Sequence, residues 1–148
     1  MRAGTIVRWL NFPEPNKGGD IKARWFIYLG KSTSLVSPIF YHFSTTTTQI
    51  DDFRNGGKRY GHPFLLFRAS DTPFDQDCII DFMEQPYHIG EEELTGNTNI
   101  EFTGELSADY LRAIYDRILK SSTFSRKVIL DIHDALNNVG ITRLKMPK

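Results

Sequence analysis

Disulfide bonds, membrane-spanning runs and a net charge are all lacking from this sequence of 148 residues. Its single cysteine, Cys78, cannot form an internal disulfide, which favours a reducing compartment. No segment approaches the ~18 uninterrupted apolar residues of a transmembrane helix. The N-terminus lacks the basic and apolar regions of a signal peptide. We therefore expect a cytoplasmic protein that does not enter a membrane.

Metal-binding and cofactor-binding motifs are also missing. No His/Cys pair has the spacing of metal ligands, and the acidic run at 91–93 is contiguous rather than chelating. The short GGK run at 56–58 is too weak a pattern for a phosphate-binding loop. Cys78 is followed by two isoleucines, which is more typical of a core residue than of a nucleophile. We predict no metal site and no cofactor.

The net charge of zero hides an uneven distribution. Residues 1–70 hold ten Lys/Arg and four Asp/Glu (+6), and residues 110–148 hold eight and three (+5). Residues 71–109 hold eleven Asp/Glu and no Lys/Arg (−11). A polyanionic ligand on the basic part is therefore not excluded. The alternative is that the acidic segment simply folds against the basic ones.

Short β-rich segments fill the first two thirds of the chain. The aromatic content of 13%, with eleven Phe, favours a core that contains a sheet. Apolar runs bounded by Pro, Gly and polar residues predict strands at about 4–12, 23–29, 39–45, 62–69 and 78–84. The segment NIEFTG (99–104) is either a short edge strand or irregular. Strands this close together, without intervening helices, predict a small antiparallel barrel or a strongly bent sheet.

Two helices are predicted in the last third. Ser107 and Ser125 are suitable N-caps, and apolar residues flank each one at the spacing of a hydrophobic staple. Apolar residues then recur at helical spacing in both segments. We predict a single α+β domain, mainly β, over 1–148. It has a β barrel at about 4–103 and two C-terminal helices at about 107–139.

The segment 22–48 holds the most suggestive chemistry. If its two strands are antiparallel neighbours, Arg24 at the start of one lies beside Ser44, Thr45 and Thr46 at the end of the other. The planar guanidinium of Arg binds two phosphate oxygens and stays charged at any working pH. This arrangement predicts a phosphate site. The alternatives are a surface cation paired with the acidic segment and an ordinary threonine-rich strand end.

The order of these segments resembles that of the PemK/MazF family of toxin ribonucleases. The resemblance covers about residues 4–120. It is carried by five matched segments: 4–13 (GTIVRWLNFP), 22–29 (KARWFIYL), 38–47 (PIFYHFSTTT), 77–80 (DCII) and 104–107 (GELS). The C-terminal residues 121–148 extend beyond the usual length of the family.

The resemblance implies an SH3-like barrel with a metal-independent endoribonuclease activity. Such a toxin cleaves single-stranded RNA by attack of a ribose 2′-hydroxyl on phosphate, and it belongs to a toxin–antitoxin system. It implies that Arg24 and one of Ser44, Thr45 or Thr46 form the catalytic pair. It also implies a homodimer and a protein antitoxin that covers the basic face.

Basic side chains among aromatic ones are typical of surfaces that bind single-stranded RNA. The candidate RNA-binding residues are Lys17, Lys22, Arg54, Lys58 and Arg59. Trp9 and Trp25 either supply stacking platforms for bases or fill the barrel core, and we expect that one of the two is a core residue.

Histidines are the side chains that titrate near neutrality, so they are candidate acids or bases. His42 lies within an apolar strand and His62 precedes a proline, which favours structural roles for both. His88 and His133 have no partner of a suitable type nearby in sequence.

The alternative function is a non-catalytic SH3-like barrel module that binds RNA or a protein partner. Two departures from the family suggest it. Trp25 stands where the family usually has Pro. The glutamine that follows the fifth strand of the family falls near Glu84 or Gln85, and a glutamate at that position is the second departure. A purely structural partner protein, which binds no polyanion, is a third hypothesis.

Overall fold

The computed structural model describes residues 1–13, 22–32 and 38–148. Residues 33–37, between the second and third predicted strands, lie outside these ranges, as does the candidate Lys17. The described strands are β1 (Thr5–Trp9), β2 (Arg24–Lys31), β3 (Phe40–Thr45), β4 (Phe64–Phe67), β5 (Cys78–Asp81), β6 (Tyr87–Gly90) and β7 (Ile100–Glu105). The helices are α1 (Glu91–Leu94), α2 (Ala108–Lys120) and α3 (Arg126–Asn138), with short 3-10 turns at Ile50–Phe53 and Ala69–Asp71.

The strands form an antiparallel five-stranded sheet and a separate hairpin. The larger sheet has the order β6-β3-β2-β1-β7, and among the described strands β4 pairs only with β5. A single bridge between Thr47 and Ile79 joins the two sheets. The predicted α+β class and antiparallel pairing are therefore confirmed. The strand pairs of the described residues form two sheets with free edges rather than a closed barrel.

The five predicted strands all occur, four with shorter bounds and β2 running two residues past its predicted end, and NIEFTG forms the edge strand β7. Strand β6 was not predicted. It has four residues (YHIG) with mixed exposure, so its own pattern is weak. Its pairing with β3, from Phe40↔Gly90 to Phe43↔Tyr87, is what makes it a strand.

Both faces of the central strand β2 are buried, which explains its continuous apolar run. Ile27 and Leu29 point into a core shared with α2, α3 and the β4–β5 hairpin. Phe26 and Tyr28 alternate to the opposite face and join a second, aromatic-rich core. All four side chains are at least nine-tenths buried. The second core also takes in Trp9, so one of the two tryptophans is a core residue as predicted.

The predicted helices and their caps are confirmed. The Ser107 hydroxyl accepts a hydrogen bond from the Tyr110 N–H, and the Ser125 hydroxyl accepts one from the Val128 N–H. No helix in the described ranges is long and apolar enough to cross a membrane.

Helix α3 lies unusually close to the sheet at Gly30 of β2. A Cβ added at Gly30 would lie 3.0 Å from the Asp131 carbonyl oxygen and 3.2 Å from the Ile132 Cα atom. The missing side chain therefore lets the helix backbone approach the strand. This close approach brings the Asp131 side chain within reach of β3.

Candidate functional site

A cleft of about 1290 Å³ opens at one end of the larger sheet. The register fixes which residues meet there, because Trp9 pairs with Arg24 and Phe26 pairs with Thr45. The start of β2, the end of β1 and the end of β3 therefore reach the same end of the sheet. This is the end at which the sequence predicted a cation beside several hydroxyls, and Arg24, Thr45 and Thr46 all line the cleft.

Arg24 is anchored by aromatic residues. Its Nη1 atom donates a hydrogen bond to the Tyr87 hydroxyl at 3.0 Å, and its guanidinium carbon lies 5.6 Å from the centroid of the Phe12 ring. No carboxylate of the described residues lies within ion-pair distance of Arg24. The alternative prediction was that Arg24 forms an ion pair with the acidic segment. The partner that this segment supplies is the Tyr87 phenol rather than a carboxylate. The positive charge remains available to an anion in the cleft.

The three candidate hydroxyls are not equivalent. Ser44 is 4% exposed and is not among the residues that line the cleft, so its predicted contact with substrate is not supported by its position. The reason is strand alternation, which turns Ser44 to the face opposite Thr45. The Thr45 hydroxyl already donates a hydrogen bond to the Trp25 carbonyl at 3.1 Å. Thr46, just beyond β3, is the half-buried candidate at the cleft wall.

Cys78 also lines the cleft but is 3% exposed. Burial raises the pKa of its thiol to about 12, and a hydrogen bond with Thr46 offsets this only in part. The thiol is therefore protonated at neutral pH and is a poor nucleophile. Its prediction as a core residue is confirmed.

The predicted RNA-binding residues separate into two groups. Lys22 and Arg59 line the cleft, but the Arg59 guanidinium is bonded to Glu84 at 3.1 Å. Arg54 and Lys58 are exposed and are not among the residues that line it, and Arg54 is paired with Asp51 at 2.9 Å. Of the four RNA-binding candidates in the described ranges, two therefore line the cleft and two do not.

The cleft is not uniformly basic. Three cationic and three acidic side chains line its described part: Lys22, Arg24, Arg59, Asp75, Glu84 and Glu93. Opposite charges of this kind largely cancel at a distance. Recognition of an anion would therefore depend on direct contact with Arg24 rather than on a broad positive field.

Two histidines and an aspartate form a hydrogen-bonded chain that ends at the cleft. His42 Nε2 lies 2.8 Å from Asp131 Oδ2, and His42 Nδ1 lies 2.8 Å from His88 Nδ1. His42 and Asp131 are 4% and 3% exposed, whereas His88 is exposed and lines the cleft. The residues belong to β3, α3 and β6, and the pairing of His42 opposite His88 in the sheet sets the contact.

Sequence reasoning missed this chain, because it found no partner for His88 and gave His42 a structural role. One signal was present. Asp131 falls on the apolar stripe of α3, where it is buried beside Ile132. A carboxylate on a buried helix face requires a polar partner from another element, and His42 was the titratable residue in the apolar strand.

Burial lowers the pKa of His42, and the opposing attraction of the Asp131 carboxylate does not outweigh it. Burial also lowers the pKa of His88, and His42 adds to that effect. Lys127, at 3.5 Å from Asp131, further disfavours a charge on His42. Both imidazoles are therefore neutral at neutral pH.

A second histidine–carboxylate pair lies beside the cleft. His62 Nδ1 is 3.0 Å from Asp81 Oδ2, and the same oxygen is 3.4 Å from Arg59 Nη1. The other oxygen, Oδ1, accepts the Met83 N–H at 2.9 Å. His62 is not among the residues that line the cleft, which agrees with its predicted structural role.

No protein-family model matches the chain, and a comparison with curated proteins found no match. The resemblance to the PemK/MazF family therefore stays a prediction. Among the described residues, no group of three His, Cys, Asp or Glu is arranged to hold a metal ion.

Proposed function

We propose that this protein is a PemK/MazF-like toxin that cleaves single-stranded RNA at the cleft. The observation that carries the proposal is Arg24, a cation bonded to Tyr87 and lacking a carboxylate partner among the described residues, at the sheet end where Thr45 and Thr46 meet it. A fixed guanidinium beside a hydroxyl is suited to hold a phosphate group.

The proposed reaction needs no metal. The ribose 2′-oxygen loses its proton and bonds to the phosphorus atom, while the bond from phosphorus to the 5′-oxygen breaks. The 5′-oxygen takes up a proton, so the products are a 2′,3′-cyclic phosphate and a 5′-hydroxyl. Arg24 stabilises the negative charge that develops on the pentavalent phosphate. The second donor is the Thr45 or the Thr46 hydroxyl, and each must leave its present partner, the Trp25 carbonyl for Thr45 and the Cys78 thiol for Thr46.

The half-buried Trp25 supports single-stranded RNA as the substrate. It lines the cleft, with its ring edge-on to Phe74 at 5.7 Å between centroids. Unpaired bases stack on such rings, and each stacked base contributes about 1–3 kcal/mol. Lys22 supplies a further cation for the RNA backbone.

The proposal includes the finer features that the resemblance implies. They are an SH3-like barrel, a homodimer, a protein antitoxin that covers the basic face and a cytoplasmic site of action where the RNA is found. The two-layer arrangement of a five-stranded sheet bridged to a hairpin at Thr47 and Ile79 supports the first of these.

A cleavage assay with an end-labelled single-stranded RNA tests the activity. We expect the wild type to produce fragments with 2′,3′-cyclic phosphate ends, and Arg24→Ala to lower the rate at least ~100-fold, the effect of losing one transition-state donor. Arg2→Ala is the matched control, because Arg2 pairs with Glu105 at the opposite end of the sheet. RNA carrying a single 2′-deoxy position must resist cleavage there.

Equal cleavage by the wild type and Arg24→Ala, or none by either, would overturn the proposal. The alternative function is a non-catalytic barrel module that binds RNA or a protein partner. The ion pair between Arg59 and Glu84 favours it, because that pair neutralises a cation of the cleft. Salt-dependent RNA binding by fluorescence anisotropy, without cleavage and without growth arrest on expression, would support this module instead.

A further inference from the structure

The hydrogen-bonded chain from Asp131 through His42 to His88 connects a buried carboxylate to the cleft. Its two donor–acceptor distances are both 2.8 Å, and its inner members, Asp131 and His42, are more than nine-tenths buried. Only its last member, His88, is exposed. A buried carboxylate that reaches a solvent-facing imidazole through hydrogen bonds is an arrangement that orients a proton-transfer group.

The hydrogen bonds determine which ring nitrogen of His88 is free. Asp131 is an acceptor, so His42 directs its Nε2–H to it. The neutral His42 then presents a lone pair at Nδ1, and His88 must donate its Nδ1–H across the 2.8 Å contact. The remaining nitrogen of His88, Nε2, carries a lone pair and has no hydrogen bond among the described residues. It is a base on the surface of the cleft.

We propose that His88 is the general base of the cleft, and that Asp131 and His42 are positioning residues that hold it in the basic tautomer. This inference rests on the proposed ribonuclease function and adds the residue that removes the 2′-hydroxyl proton. Consecutive residues of β6 then serve both parts of the site, since Tyr87 bonds Arg24 and His88 is the base. They point to opposite faces, so the RNA lies across the end of the sheet.

The proton transfers balance without another reactant. His88 Nε2 takes the 2′-hydroxyl proton as the 2′-oxygen bonds to phosphorus. The bond to the 5′-oxygen breaks, its electron pair stays on that oxygen, and the oxygen takes a proton from water. The hydroxide formed removes the proton from His88 and restores the neutral base.

Asparagine is the most selective substitution for His88. Its amide nitrogen can keep the hydrogen bond to His42 Nδ1, whereas the basic Nε2 atom of His88 is removed. We expect His88→Asn to lower kcat/KM at least ~100-fold, as removal of a general base does, and to abolish the acid limb of the pH–rate profile. His62→Asn is the matched control. His62 is also bonded through Nδ1 to a buried aspartate, but it does not line the cleft, so its profile should be that of the wild type.

Asp131→Asn tests the positioning role by a property that a merely structural residue would not change. The groups that face the two histidines from the elements packed on them are Asp131 and Lys127 of α3. Because the Asp131 charge raises the pKa of both imidazoles, its removal should move the acid limb to lower pH. If the acid limb of the pH–rate profile of Asp131→Asn is the same as that of the wild type, the positioning role of Asp131 is wrong.

A substrate with an activated leaving group separates a base from an acid. Uridine 3′-(4-nitrophenyl phosphate) expels a group that needs no proton, so His88→Asn should slow its cleavage as much as it slows cleavage of RNA. Recovery of activity on this ester would show that His88 protonates the leaving group and would overturn its assignment as the base.

Nitrogen-15 NMR of the imidazoles tests the tautomer without any substrate. We expect His88 to carry its proton on Nδ1 at neutral pH, and a proton on Nε2 would overturn the inference. If the wild type cleaves RNA and His88→Asn cleaves it at the same rate, the assignment of His88 is wrong and the ribonuclease proposal stands. Absence of cleavage by the wild type would overturn the ribonuclease proposal, and His88 as its base with it.

Discussion

His42 and His62 each bond a buried aspartate, but the two pairs are connected to the protein in different ways. Asp131 is bonded to His42, which continues to His88 and the cleft, and it also contacts the exposed Lys127. Asp81 instead collects bonds from His62, Arg59 and the Met83 backbone. The first pair is extended by one further hydrogen bond to a residue of the cleft. The second pair is part of a cluster in which three groups bond the same carboxylate.

The comparison shows that a histidine–aspartate contact does not by itself define a functional site. The distances, 2.8 Å and 3.0 Å, are alike, and both aspartate side chains are 3% exposed. The difference lies in the other nitrogen of each histidine. His42 directs it to a second imidazole at the cleft, whereas His62 lies outside the residues that line the cleft.

The largest expected effect is that of Asp131→Ala. It leaves the Nε2–H of His42 buried without an acceptor, and His42 is too enclosed to reach water. We expect a loss of about 3 kcal/mol in the free energy of unfolding, measured by urea denaturation with the m-value checked for change. Asp134→Ala on the same helix, 61% exposed, is the control and should change stability little. A loss below that of the control would contradict the buried pairing.

A smaller effect is expected for Asp81→Ala, although Asp81 makes more bonds. Arg59 keeps Glu84, and His62, with 35% of its side chain exposed, can bond water. The Met83 N–H is the group left unpaired. We expect a loss of about 2 kcal/mol, by the same denaturation experiment. If Asp81→Ala were more destabilising than Asp131→Ala, the contrast between an enclosed and a solvent-accessible partner would be wrong.

The smallest effect should appear in the pH dependence of stability. The pKa of His42 lies below its ordinary 6.5 in the folded state, because burial disfavours the charged form. Below pH 6.5 the unfolded chain therefore binds more protons, so acidification favours unfolding. Stability from this group is fully present above pH 6.5 and is lost as the pH falls. In urea titrations between pH 8 and 5, His42→Gln should lose less stability than the wild type. Equal slopes would count against a neutral, buried His42.

Much of the fold was predictable because it depends on local pattern. The caps Ser107 and Ser125 predicted the starts of α2 and α3, and the apolar runs predicted five of the strands. Strand β6 was not predictable, since its four residues carry no strong pattern and owe their conformation to β3. The described pairings do not close the barrel that the closely spaced strands predicted, because β4 and β5 pair with each other and meet the larger sheet at an isolated bridge.

The candidate site was also predictable only where it depends on neighbouring segments of the chain. The juxtaposition of Arg24 and the threonines followed from one antiparallel pair, whose register brings nearby segments together. The inner position of Ser44 and the bond of Arg59 to Glu84 required the positions of neighbouring strands and turns. The chain through His88 required three elements that are far apart in sequence.

By itself, the sequence determined the antiparallel sheet, the two capped helices and the meeting of Arg24 with Thr45 and Thr46, because hydrophobic period, capping and strand pairing act over short distances. Only the tertiary structure decided that Asp131, His42 and His88 form one chain. The contact of α3 with β2 at Gly30 and the pairing of β3 with β6 are packing events between distant segments. No local pattern specifies which buried polar group will satisfy another.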